Sequence, residues 1–159
     1  MYRYLILFSL LMLAVPRPSA AVDTFQVTSP DPVLEPWRWR SFPELEGLGL
    51  RCMAEDRDGN MWFGTGEGVR CYNGVDWTVY TSEHGLLGLR VDALCAARDG
   101  SVYVGTELGI SRFKQGVWSR LFPSKGDLPW PVNDLIEVSD GSVWAGTWWG
   151  ALHLEGSGS

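Results

Sequence analysis

Basic side chains are few and scattered. Thirteen Lys and Arg stand against nineteen Asp and Glu, for a net charge of -6, and no segment gathers Lys and Arg together. A surface that follows a phosphate backbone needs such a cluster, so nucleic acid is excluded as a partner. Histidine is scarcer still: His84 and His153 are the whole supply of imidazole bases. The three cysteines, Cys52, Cys71 and Cys95, form neither a CxxC pair nor a Cys/His spacing of metal-ligand type, so no metal or cofactor is implied. In an oxidising compartment one pair can bridge and leave one over; all three also suit burial as small hydrophobes. Long apolar runs are lacking too. The apolar stretch Leu5 to Val15, broken only by Ser9, is too short to cross a bilayer core of roughly 30 Å as a helix, and no later segment approaches that length. No sustained amphipathic helical pattern follows it.

That one apolar run lies behind Arg3 and ahead of Ser19-Ala20-Ala21, small residues where a signal peptidase reads, so residues 1–21 are expected to be a signal peptide cleaved before Val22. The expected destination is the periplasm or the exterior. What is plentiful is Gly, at nineteen, and Trp, at nine, within a 45% hydrophobic composition; turns and aromatic cores at that density predict an all-β domain.

One phrase occurs three times: Asp58 to Thr65 (DGNMWFGT), Asp99 to Thr106 (DGSVYVGT) and Asp140 to Thr147 (DGSVWAGT), at an interval of 41 residues. Before each copy runs a short β-compatible segment, Leu50 to Glu55, Val91 to Ala96 and Val132 to Val138. The Asp-Gly pair supplies a hairpin turn, because Gly takes positive φ without a Cβ clash. Strand two is then Met61 to Thr65, Val102 to Thr106 and Val143 to Thr147; strand three opens at Gly68, Gly109 or Gly150; strand four is Trp77 to Tyr80 and Trp118 to Phe122. Trp39 to Phe42 reads as one more strand of the fourth kind. Four short strands in about 41 residues is a propeller blade. The expectation is an all-β propeller of about three blades over 37–156, with 22–36 as lead-in, 157–159 as tail, and a fragment of a larger ring. Trp62, Tyr103 and Trp144 are expected to pack between blades. Open edge strands at both ends invite self-association.

The stretch Glu55 to Thr65 followed by Gly68 to Gly74 closely resembles the two-component regulator propeller repeat, and the resemblance extends over nearly all of Trp39 to Gly156. It implies the ligand-sensing region of a bacterial histidine kinase or hybrid regulator, several of which sense carbohydrate fragments. It implies no catalysis in this chain, since kinase and receiver modules are lacking from it. The third copy departs from the pattern, with Ser139 in place of a charged residue and Trp148-Trp149 where the others have Gly66-Glu67 and Glu107-Leu108.

This variable pair lies in the loop between strands two and three, on the face that carries the blade-to-blade connections, where ligands commonly meet a rigid scaffold. Trp148 and Trp149, joined by Trp130, offer flat stacking surface for a small molecule or oligosaccharide, and Glu67, Glu107, Glu83 and His84 offer hydrogen-bonding groups beside them. Each also reads as ordinary packing or surface charge. Glu67 and Glu107 are taken as equivalent positions, so nothing sets their acidities apart as a glycosidase requires. Gly64 to Gly68 has alternating glycines but neither a Lys nor a following helix, which excludes a phosphate loop. Two alternatives stay open: a propeller lyase like those that inactivate streptogramins, needing a His and Glu metal site, and a truncated remnant without function.

Overall fold

The computed structural model describes residues 40–123 and 129–155. The expected signal peptide, the lead-in, Trp39 and the tail at 157–159 lie outside them. The chain divides into two units, 1–41 and 42–159, and of the first only Arg40 and Ser41 are described.

Eleven strands form among the described residues: β1 (Cys52–Glu55), β2 (Met61–Thr65), β3 (Gly68–Tyr72), β4 (Trp77–Tyr80), β5 (Val91–Ala96), β6 (Val102–Thr106), β7 (Gly109–Lys114), β8 (Val117–Phe122), β9 (Val132–Glu137), β10 (Val143–Thr147) and β11 (Gly150–Leu154). They build three antiparallel sheets, β1-β2-β3-β4, β5-β6-β7-β8 and the three-stranded β9-β10-β11. Each sheet follows chain order, and the first strands of successive sheets, β1, β5 and β9, lie against one another. That is the arrangement of propeller blades around an axis, and the fold is a β-propeller arc of three blades. Arg40 to Phe42 take no strand conformation; Phe42 instead precedes a 3-10 turn at Pro43–Leu45 and sets its ring edge on Tyr72 and Trp77, at 5.6 and 5.7 Å.

The repeated phrase explains the blade. Gly59, Gly100 and Gly141 have φ of 81°, 79° and 84°, closing the hairpin between the first two strands of each blade. In the second and third copies the Asp side chain accepts from the backbone N–H two residues on, Ser101 to Asp99 and Ser142 to Asp140, both at 2.8 Å. In the first copy Asp56 takes over, accepting from the Asn60 N–H at 2.9 Å. At the other end of strand two, Thr65, Thr106 and Thr147 donate from Oγ1 to the carbonyls of Gly68, Gly109 and Gly150, at 2.8, 3.0 and 2.7 Å. The same oxygens accept from the N–H groups of Glu67, Leu108 and Trp149. One hydroxyl thus satisfies a whole turn.

Between blades the core has two layers. Near the inner strands a glycine faces a valine: a Cβ on Gly64 would lie 2.6 Å from Val91 Cγ1, and one on Gly105 would lie 2.6 Å from Val132 Cγ1. Further out, large rings fill the gap. Trp62 stacks on Tyr80 at 5.6 Å and meets Phe113 of the next blade at 5.1 Å, while Trp118 packs against both Tyr80 and Phe113. Trp62 and Tyr103 are therefore 2% and 3% exposed. Trp144, at the equivalent position, is 42% exposed, because no described blade follows it.

Gly105→Ala is expected to lower unfolding stability in urea by roughly 1–3 kcal/mol, the usual cost of overpacking a core. Gly146→Ala, at the equivalent position with only Asp134 Cβ in reach at 3.7 Å, is expected to stay within about 0.5 kcal/mol of the parent, as open surface substitutions do.

Candidate functional site

The turns between strands two and three lie at the same end of the sheets as the blade connections, and backbone hydrogen bonds tie them together. Gly66 N–H donates to Leu48 O at 2.9 Å, Gly68 to Leu89 O at 2.7 Å, Glu107 to Arg90 O at 3.3 Å and Trp148 to Pro131 O at 3.4 Å. The seven side chains proposed from sequence are spread over this end rather than gathered, with Glu83 exposed in the 3-10 turn Ser82–His84. Trp148 and Trp149 are 72% and 71% exposed. Trp130 is half-buried, its ring edge-to-face with Phe122 at 5.2 Å, which makes it packing for the connection rather than part of an open platform. His84 closes the 3-10 turn Ser82–His84: its Nδ1 accepts from the Thr81 N–H at 3.1 Å, and its ring stands edge-on to Tyr80.

Glu67 and Glu107 are not equivalent. Counting along the repeat, Glu107 matches Gly66 and Trp148, whereas Glu67 matches Leu108 and Trp149. Glu67 is exposed; Glu107 is half-buried, with Oε2 enclosed beside Gly88 and without a hydrogen-bond partner among the described residues. A shift of one residue along a tight turn reverses which way the side chain points.

What the fold does gather is a cavity of about 430 Å³ lined by Arg51, Arg90, Asp92, Asn133 and Trp148. Arg51, Asp92 and Asn133 are the same position of the three repeats, beside the first residue of each inner strand. Asp92 and Asn133 are each skipped in the pairing with the second strand: Val91 faces Thr106 and Ala93 faces Gly105, and Val132 faces Thr147 while Asp134 faces Gly146. These are β-bulges, which re-aim a side chain out of the ladder. Asp92, largely buried, receives Arg51 Nε on one oxygen and Arg90 Nε on the other, the latter at 3.0 Å. Both arginine side chains are about half exposed, and neither makes another side-chain hydrogen bond or ion pair among the described residues. Two cations on one carboxylate leave a net positive charge. Trp148 donates its indole N–H to Asn133 Oδ1 at 3.1 Å, which fixes the ring beside this cluster with its face open. Sequence inspection proposed only Trp148 of these five; the signal for three others was the 41-residue interval itself, applied to polar positions.

A second cavity, of about 460 Å³, opens at the opposite end between the first two blades. Two of its carboxylates, Asp56 and Asp99, are already engaged. Asp56 accepts from Trp62 Nε1 at 2.7 Å and from Asn60 Nδ2 at 2.9 Å, and these bonds outweigh its partial desolvation and hold its carboxyl below the usual range. Asp99 behaves likewise: partial burial opposes ionisation, but Lys114 at 2.6 Å and Ser101 bring its pKa down to about 2. The three cysteines are free thiols. Desolvation pushes Cys52 and Cys71 up to about 11 and raises Cys95, which disfavours the reactive thiolate. No group of three His, Cys, Asp or Glu able to hold a metal occurs among the described residues.

Residues 45–67 match the family described as two component regulator propeller. That match falls within the first blade, and this segment is similar to a two component regulator propeller repeat. No match is found among curated proteins. Solved structures of similar fold include the extracellular domain described as that of the hybrid two component system BT3049 from B. thetaiotaomicron, with TM-score 0.64 and 22% identity over 80% of this chain and 18% of that one. The extracellular domain described as that of the one component system BT4673 from the same organism gives TM-score 0.55 and 25% identity, over 62% of this chain and 14% of that one. PorZ, a surface component of the type-IX secretion system of Porphyromonas gingivalis, gives TM-score 0.54 and 19% identity, over 72% of this chain and 21% of that one. The chain thus spans about a fifth or less of each.

Asp56→Ala leaves a buried indole N–H without its acceptor and is expected to cost about 1–3 kcal/mol in urea unfolding. Asp99 has a folded pKa below its ordinary value of 3.8, so its contribution is present above that value and lost as pH falls towards about 2. Acid titration of stability should therefore be shallower for Asp99→Asn than for the parent in that window.

Proposed function

We propose that this chain forms part of an exported sensor propeller that binds a sugar or short oligosaccharide at the mouth of the axis and carries out no catalysis. The observation that carries this reading is the conjunction of an open, oriented Trp148 ring with two half-exposed arginine side chains, a carboxylate and an amide in one cavity. An indole face takes the apolar face of a pyranose, and fixed polar groups around it take hydroxyls; sites of this build orient a ligand without transforming it. Extracellular domains of two-component systems among the structures of similar fold support export and sensing. No helix of the described residues is long and apolar enough to cross a membrane.

Nothing observed favours the lyase alternative. His84 is engaged with Thr81 in the connection between the first two blades, and His153 lies on β11 against the Trp144 ring at 4.7 Å. The two imidazoles are not brought to one site with a glutamate.

Titration of the protein with a panel of neutral and acidic oligosaccharides, read by calorimetry, is expected to find a ligand whose affinity falls about tenfold or more in Trp148→Ala, the loss typical of a truncated aromatic anchor. Glu67→Gln and His84→Ala are expected to bind as the parent does. Binding that ignores Trp148→Ala, or a panel without any binder, would overturn the assignment.

A further inference from the structure

At the mouth of the axis one carboxylate holds two cations. Asp92 accepts the Nε–H of Arg51 on Oδ1 and that of Arg90 on Oδ2. A guanidinium carries five N–H donors in a planar fork, and Asp92 takes only the one on Nε from each. The Nη groups of both arginines make no hydrogen bond among the described residues, and both side chains are about half exposed. The charged residues that line this cavity are thus two positive and one negative, in a chain whose net charge is -6.

Blade packing does not call for the extra cation. Arg90 stands where the other two blades have Gly49 and Pro131. The junction at Val132 closes on Gly105 with Pro131 in that place, just as Val91 closes on Gly64 with Arg90 before it. Beside the two forks, Trp148 has committed its indole N–H to Asn133 Oδ1 at 3.1 Å, while its side chain stays open, the residue being 72% exposed. A ligand that uses both features needs an apolar ring face and an anionic group at the edge of that ring. A pyranose with an exocyclic carboxylate has this shape: its ring lies flat on the indole while the carboxylate extends sideways to the forks. Two parallel charge-assisted bonds then form, each roughly twice as strong as a neutral one. A neutral hydroxyl only exchanges one ordinary bond to water for another.

Building on the sugar-binding reading above, we propose that the ligand of this cavity is an acidic sugar, stacked on Trp148 through its ring and held through its anion by the Nη groups of Arg51 and Arg90. A carboxylate and a sulfate ester both present the paired oxygens that a guanidinium fork takes, and this shared chemistry is what the cavity selects over a neutral sugar.

Calorimetric titration of the whole chain with uronic acid oligomers, with the methyl esters of the same oligomers and with sulfated neutral oligomers of matched length tests this. Esterification removes the charge and keeps the ring. An acidic form is expected to bind at least about tenfold tighter than its uncharged counterpart, and to weaken as salt is raised while the ester does not. Arg51→Gln and Arg90→Gln are each expected to close that gap while keeping the parent's circular dichroism and melt, and Arg51→Lys to restore part of it. Arginine-dependent binding of the carboxylate or of the sulfate form supports the proposal and identifies the anion. Ester and acid bound equally, both lost in Trp148→Ala, overturns the acidic ligand and leaves the sugar site standing. Acid binding that survives Trp148→Ala but not Arg51→Gln overturns the stacked sugar instead. Absence of binding in all three arms overturns the sugar-binding reading and this inference with it.

Discussion

Everything in this arc depends on how closely two sheets can approach at their inner strands. Blades that radiate from an axis are near each other inside and far apart outside, so the space between them is a wedge. The narrow end admits one branched side chain against bare backbone, which is what Val91 at Gly64 and Val132 at Gly105 supply. A Cβ on either glycine would push the next blade outward and lose the dispersion contacts of the whole face. The wide end needs volume, and Trp62, Tyr80, Phe113 and Trp118 provide it. The glycine is followed in each blade by a threonine whose hydroxyl completes the turn, so two adjacent residues set both the spacing of the blades and the exit of the chain towards strand three.

The same convergence makes the site. Three inner strands that begin side by side bring together one repeat position from each blade, and the bulges at Asp92 and Asn133 turn those side chains out of the ladder and towards the mouth. The resulting cavity has members from all three blades, none of which holds a site alone. Divergence at one repeat position, Arg51 to Asp92 to Asn133, converts a structural period into a mixed set of donors and acceptors. Changing one polar repeat position thus changes the surface at the mouth without altering the core.

Much of the fold was legible in the residues. The second and third strands of every blade begin where the phrase predicts, because Asp-Gly and Gly-Thr act through local backbone geometry and hydrogen bonds within a few residues. Legibility failed where a long-range partner decides. Arg40 to Phe42 have strand composition but take no strand conformation, and Phe42 packs on Tyr72 and Trp77. Trp130 looked like a ligand platform and is held by Phe122. Glu67 and Glu107 looked alike and differ by one step along a turn. For the candidate site, exposed tryptophans drew attention to Trp148, but Arg51, Arg90 and Asp92 carry no local mark that they line a cavity; they are charged residues next to strand starts, as surface residues commonly are.

The amino-acid sequence by itself determined the period, the turns and the class of fold, since each rests on interactions between near neighbours that recur at a fixed interval. Only the tertiary structure decided which repeat positions meet at the axis, which aromatics are buried and which stay open. Trp62, Tyr103 and Trp144 show why: the three positions are equivalent, with two Trp and one Tyr, and their exposures of 2%, 3% and 42% differ because burial belongs to the neighbouring blade, not to the residue.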